Sequence, residues 1–429
     1  MNLTFQYFTT FNPIVNRFFA ILLWAGVLLP AVGIAGQADG AALTEAETVR
    51  LALQRPAVQD LMNANVAIAE SGLTAARLWS NPELVYARES VDRAIGENAE
   101  DTIWISQQFQ ISGARGLRKD AAQERIRAAE FKAGADRLAI ETDAKQRFHQ
   151  LLHQHLLVEA IQDWTARMGN LEEIVKKRQE AGEVSGYDTL RLSRERASIE
   201  AALNRELARK ARFWAGMMIV LGEEAGATSR FGSISGDLLP PEPPTLGSLL
   251  GTLYDRTDIA QLERELAALE MEQKASARGW VPELTLGAGQ KRIDDDIGRD
   301  TGPMVMAGIT LPLFNRGQAE NQRYSAEADM AKSRLQLKHR EAQGEVSGLW
   351  RELSGLRAAA LESREGADRD GARIIRIAES AYAGGELGVL ELLDAYRSAY
   401  LAEMQTLELS AAARAAYIEL DLLTGGAVK

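Results

Sequence analysis

Residues 102–111 read TIWISQQFQI. In an extended chain Ile103, Ile105, Phe109 and Ile111 share one face, and Trp104, Ser106, Gln108 and Gln110 share the other. Residues 283–291, ELTLGAGQK, alternate Leu284, Leu286 and Ala288 with Thr285, Gly287 and Gly289. Residues 304–313, MVMAGITLPL, line up Val305, Ala307, Ile309 and Leu311. Residues 83–91 have the same length but alternate poorly, because Leu84, Val85 and Tyr86 are consecutive. Each segment has nine or ten residues, the length of a β-strand tilted across a bilayer. The expected strands are therefore 83–91, 102–111, 283–291 and 304–313.

Four strands cannot close a barrel, and lipid does not tolerate an open strand edge. Two chains would give eight strands and a filled interior. Three chains would give a twelve-stranded barrel with a lumen, the smallest assembly able to conduct.

Between the strands the chain is built for helices. No proline occurs from 83 to 239 or from 313 to 429, and a proline inside a helix costs ~3 kcal/mol. Ala, Leu, Glu, Arg and Gln dominate these spans, with apolar residues at helical spacing such as Ile126, Ala129 and Ala133. Helices are expected at 44–79 (broken near Pro56), 114–180, 187–222, 246–280, 316–382 and 389–424, with glycine turns at 181–186 and 383–388. The two shorter helices of each half match its long one in length, which gives a hairpin-built rod ~100 Å long.

The halves repeat. Asn81-Pro82-Glu83-Leu84 matches Val281-Pro282-Glu283-Leu284, with Pro-Glu-Leu offset by 200. Phe109–Gly116 resembles Leu311–Gly317, and Ala181-Gly182-Glu183-Val184-Ser185 matches Gly384-Gly385-Glu386-Leu387-Gly388. Three correspondences in one order indicate duplication. The layout read is a signal peptide at 1–35, a first repeat at 36–222 (hairpin 114–222), a linker at 223–245 and a second repeat at 246–429 (hairpin 316–424). Four of the eleven prolines lie in that linker region.

Composition narrows the function. Sixty acidic and 49 basic residues give a net charge of −11, which offers no basic face for nucleic acid. With no cysteine, disulfides, thiolate metal sites, thiol nucleophiles and a lipidated N-terminal cysteine are excluded. A mean hydropathy of −0.19 excludes a polytopic helical membrane protein. Arg17 followed by FFAILLWAGVLLPAVGIA reads as a secretory signal, or alternatively as a single membrane anchor; Pro30 and the small residues after it favour cleavage.

The ordered set NPEL, VPEL, LPLFNRGQAE, AGEVSGYDTL and GGELGVLELLDAYRSAY resembles the outer membrane factor family of TolC-like efflux ducts. The likeness covers nearly the whole chain after the signal and is greatest for the heavy-metal, CzcC-like branch. The resemblance implies a mixed fold: a membrane β-barrel joined to an α-helical barrel, with four strands and long helical hairpins per chain, closing as a 12-stranded barrel in a homotrimer. It implies an outer membrane location with the helical tunnel in the periplasm. The implied partners are a periplasmic adaptor (membrane fusion protein), an inner-membrane resistance-nodulation-division (RND) pump and outer membrane lipid. The implied function is passive export of divalent heavy-metal cations, with drug or small-molecule export as the runner-up. No cofactor or resident metal is implied.

The same resemblance assigns residues. Glu391 and Asp394, three apart and on one helix face, match the acids that close the periplasmic mouth; by themselves they equally describe a solvated face. Asp188 and Arg191 are the corresponding positions of the first half. The turns Gly182, Glu183, Val184, Ser185 and Gly385, Glu386, Leu387, Gly388 are the expected adaptor-docking points. Trp79 and Trp280, just before a strand in each half, are candidate membrane-interface anchors. Asp294, Asp295 and Asp296 read as a solvated loop tip rather than a cation site, and His149 and His153 lack the carboxylate or cysteine company of a metal centre.

Two other classes fit less of the sequence. An enzyme would need a catalytic motif; no P-loop, G-x-S-x-G, H-E-x-x-H or complete G-x-G-x-x-G occurs. A periplasmic coiled-coil adaptor explains the helices but not four membrane-length strands.

Overall fold

The structure, a computed structural model, describes residues 42–92, 97–223, 231–295 and 297–428. The signal read at 1–35 lies outside the described residues. The order is β1 (Ala42–Leu43), α1 (Glu45–Gln54), α2 (Pro56–Arg77), β2 (Glu83–Asp92), β3 (Glu97–Phe109), α3 (Ala114–Glu180) and α4 (Gly186–Val220). Then come β4 (Ser233–Ile234), α5 (Leu246–Thr252), α6 (Thr257–Ser276), β5 (Glu283–Asp294), β6 (Arg299–Thr310), α7 (Gln318–Gly366), α8 (Ala372–Ala383) and α9 (Val389–Leu423).

The four long strands form one antiparallel sheet in the order β2-β3-β5-β6, so β2 and β6 are its free edges. Register sorts the side chains by face. Leu84, Tyr86, Ile103, Ile105, Leu286, Val305 and Ile309 share one face and are largely exposed, Val305 to 85%. The opposite face carries Trp104, Ser106, Gln108, Thr285, Gly287, Gly289, Met304 and Met306. An apolar face left bare is the pattern of a sheet solvated by lipid.

The strands are longer at their far ends than alternation suggests: β3 starts at Glu97, not 102, β5 runs to Asp294, and β6 starts at Arg299, not 304. There the ladder carries polar cross-strand pairs instead of an apolar face. Lys291 lies 2.5 Å from Glu100, and Arg88 lies 3.7 Å from Asp101. At the near ends the strands stop early, β3 at Phe109 and β6 at Thr310; Pro312 has no N–H to extend a ladder.

The helical region is built around α3, 67 residues and ~100 Å long. α2 and α4 pack along it in turn, and α7 is flanked likewise by α6 and α9. Pro56 sits at the first position of α2, where its missing N–H is harmless, and separates it from α1. The two hairpins meet in one core: Ile161, Trp164, Met168, Leu171 and Val175 of α3 pack with Leu192 of α4, Ile375 and Tyr382 of α8 and Leu392 and Tyr396 of α9.

The second hairpin departs from the expected unbroken helix. A π turn at Ala367–Gly371 separates α7 from α8, whereas α3 is continuous. The π turn borders a cavity of about 510 Å³ lined by Trp164, Arg167, Leu238, Arg364, Ile375 and Glu403, among others. Across it the Trp164 Nε1–H donates to Glu403 at 2.7 Å.

The stretch read as a linker is not a slack tether. β4 pairs in parallel with β1, and Phe231, Ile234 and Leu238 are buried with Phe148 and Leu152 of α3. Arg414 donates to the carbonyls of Asp237, Leu238 and Leu239, and Arg357 to that of Pro240.

α1 is held to α3 by a buried contact, His149 Nε2 to Glu45 Oε2 at 2.5 Å. Burial lowers the His149 pKa below the ordinary 6.5, outweighing the attraction of Glu45. The ring is thus neutral at pH 7 and donates N–H to a carboxylate; the contact is not an ion pair. The hydrogen bond from His149 holds the Glu45 carboxyl below its usual value. Arg414, Asp237 and Lys145 are the other charges acting on the two groups. Both shifts mean that the unfolded chain binds protons first, so acidification destabilises the clasp. Thermal stability should fall as pH drops through and below 6.5, and His149→Gln should flatten that slope in melts recorded against pH.

Candidate functional site

The two hairpin turns form one end of the molecule. Each helix stops in a Schellman arrangement around a left-handed glycine. Gly182 has φ +79° and Gly385 +75°; Glu183 N–H returns to Arg178 O at 2.9 Å and Glu386 N–H to Ala381 O at 2.8 Å. Val184 and Leu387 tuck against the shared core of both hairpins, while Gly182, Glu183, Ser185, Gly385, Glu386 and Gly388 are exposed.

Arg178, which sequence reasoning missed, ties the turns together. Its Nε donates to Glu183 at 2.8 Å, its Nη1 donates to the Tyr382 carbonyl at 2.7 Å, and the guanidinium lies 4.8 Å from the Tyr382 ring centre. The Tyr382 side chain is only 4% exposed, and burial raises its pKa, partly countered by Arg178. No periodicity marks Arg178; only the packing of one hairpin on the other does.

Two of the four predicted gate residues have local work. Asp188 is the third residue of α4: Ser185 Oγ donates to its carboxylate at 2.6 Å, and its own N–H donates to Ser185 Oγ at 3.2 Å. Glu391 holds the same position in α9 and accepts from the Gly388 N–H at 3.1 Å. Both are capping residues. Asp394 and Arg191 are exposed, with no ion-pair partner among the described residues. Beside them Tyr187 is 71% and Leu190 74% exposed, apolar side chains off the buried stripe of α4. The turn end thus presents free acid, free base and bare apolar surface, with its capping geometry complete.

At the strand–helix junction Trp79 and Trp280 are both more than half exposed. Trp79 meets Phe109 edge-on at 5.8 Å, and the Arg115 guanidinium lies 4.0 Å from its ring centre. Leu78, Leu311, Leu313 and Phe314 are exposed in the same connecting segments. At the distal tip, Asp294 accepts from Arg299, and Asp295 accepts from the N–H groups of Ile297 and Gly298; Asp296 lies outside the described residues. Of the histidines, His149 is held by Glu45, and His155 Nδ1 accepts from Lys210 at 2.6 Å.

A bare-faced sheet with two free edges, set on paired helical hairpins, is the fold of TolC-like outer membrane channels of known structure. The chain resembles the outer membrane protein VceC of Vibrio cholerae in fold, with a TM-score of 0.73 at 19% identity over 90% of this chain and 97% of that one. Residues 252–426 match the family model described as outer membrane efflux protein. Among curated relatives it is similar to the nickel-cobalt-cadmium resistance protein NccC of Alcaligenes xylosoxydans xylosoxydans, 27% identical over 267 residues, or 59% of this chain. That match spans 57% of the relative's length. It is also similar to the cobalt-zinc-cadmium resistance protein CzcC of Cupriavidus metallidurans, 22% identical over 83% of this chain and 84% of that one.

Proposed function

We propose that three copies of this chain form a passive duct in the outer membrane. Twelve strands close its barrel, and the hairpins of the repeats at 36–222 and 246–429 form a tunnel in the periplasm. Its cargo is divalent heavy-metal cations delivered by an inner-membrane RND pump through a periplasmic adaptor that docks at the Gly182–Ser185 and Gly385–Gly388 turns. The chain conducts and performs no chemistry. Glu391, Asp394, Asp188 and Arg191 gate the mouth, and Trp79 and Trp280 sit at the membrane interface. The cargo follows from the names of NccC and CzcC.

One observation carries the assembly: a contact that each repeat needs is made only once within the chain. α6 packs on both α3 and α7, reinforced by Arg125–Glu272 at 2.8 Å and Arg264–Glu124 at 3.3 Å. Among the described residues its counterpart α2 packs chiefly on α3. The outer side of α2 exposes Ala57, Leu61, Ala64, Ile68, Ser71 and Ala75 at three- and four-residue spacing, with Ile68 69% bare. α7 of a second copy supplies the missing partner, and that same step joins the free edge of β6 to the free edge of β2, antiparallel as elsewhere in the sheet.

Leu61→Asp with Ile68→Asp should abolish trimers on size-exclusion chromatography with light scattering while leaving the helical circular dichroism spectrum intact. Trimers that survive both changes overturn the assembly. Loss of the chain from its host should sensitise cells to cobalt, zinc and cadmium; sensitisation to drugs alone overturns the cargo.

A further inference from the structure

The inward sheet face carries one pair of soft ligands. Met304 and Met306 are two of the ten methionines, and they project from the same side of β6, two residues apart and so ~7 Å between their Cα atoms. Each faces a glycine across the ladder: Met304 pairs with Gly289 and Met306 with Gly287. Neighbouring groups close over both glycines. A Cβ at Gly287 would stand 3.2 Å from the Met306 Cε, so the thioether already lies over bare backbone. A Cβ at Gly289 would stand 2.2 Å from Ile103 O and 2.5 Å from Trp104 Cβ, which leaves no room for a side chain there. Beyond Gly289 in the same row is Trp104, whose indole offers a π face to a cation.

We propose that Met304 and Met306 form a thioether site for soft monovalent cations, silver(I) or copper(I), on the inward face of the sheet. This deepens the duct reading and rests on it for the claim that the face borders the conducting path. Thioethers are soft donors and hold silver(I) and copper(I) in preference to cobalt(II) and zinc(II), which take nitrogen and oxygen donors readily. Each side chain has three rotatable bonds, so two sulfurs on adjacent same-face positions can close on one ion. The donors are neutral, so the ion is held without a counter-charge and is released readily, as a conducting path requires. Three copies would ring the barrel with such pairs.

The test uses the full chain in detergent with 13C-labelled methionine methyl groups, titrated with silver nitrate in chloride-free buffer. Two methyl signals, assigned with Met304→Leu and Met306→Leu, should shift, and zinc nitrate should leave them in place. The double leucine variant should bind silver roughly ten-fold more weakly or worse with unchanged melting, since leucine fills nearly the same volume. Unshifted signals at these two methyls, or equal silver affinity in the double variant, overturn the site. Bilayer conductance separates the two readings: a conducting protein whose methyls ignore silver loses only the thioether site. A protein that shifts at these methyls but never conducts loses the duct and keeps the site.

Discussion

Glu391→Gln combined with Asp394→Asn should raise the single-channel conductance of the reconstituted protein several-fold and weaken its block by divalent cations. Three copies would bring six of these carboxylates to one narrow opening. Such a ring concentrates cations and binds those that would plug the mouth. Amides are the right replacements, because Glu391 also caps α9 through the Gly388 N–H. Glutamine keeps an acceptor there, so the change tests charge and not helix fraying, which an alanine would confound by ~1 kcal/mol. Asp394 has no such duty. Arg191→Ala should act in the same direction if it latches a neighbouring acid. Unchanged conductance and unchanged cation block in the double amide variant would remove the gate assignment.

Gly289→Val should stop the protein from assembling in the outer membrane. The neighbours that a side chain would meet are Ile103 O at 2.2 Å and Trp104 Cβ at 2.5 Å. Neither is the far end of a flexible chain, so relief requires β3 and β5 to separate at the centre of the sheet. Overpacking costs ~1–3 kcal/mol in an ordinary core, and here it also breaks ladder bonds that lipid cannot replace. Gly302→Val is the control, since nothing lies within 4 Å of a Cβ at that position. Outer membrane fractions should contain trimers of the Gly302 variant and none of the Gly289 variant. Normal trimers of the Gly289 variant would refute the β3–β5 pairing.

Much of this molecule is legible along one dimension. Absence of proline and an uninterrupted helical spacing anticipate α3 to the residue, Ala114–Glu180, because helix hydrogen bonds are local and their breakers are local too. The helix-proximal parts of β3, β5 and β6 are legible for the same reason: alternation of apolar and polar residues sorts the two faces of a strand. The far halves of β3, β5 and β6 are not, since their polar pairs, the diagonal Lys291–Glu100 among them, look like loop until the register brings them onto one face of neighbouring strands. The π turn at Ala367–Gly371 left no mark either. It lies against α9 and borders the cavity that Gly236–Leu239 also line, neighbours that only the folded chain brings together.

The candidate site divides along the same line. Turn glycines, acids and paired tryptophans stand out by spacing and by recurrence across the repeat. Arg178, which bridges one turn to the other, and the capping duties of Asp188 and Glu391 appear only when distant segments are brought side by side. Amino-acid order alone was enough to establish duplication, long hairpins and a sheet too small to close, because each follows from local periodicity and from counting. Which faces stay bare, α2 and the two sheet edges above all, is a property of the folded chain: a surface is unpartnered only with respect to everything else that has already packed.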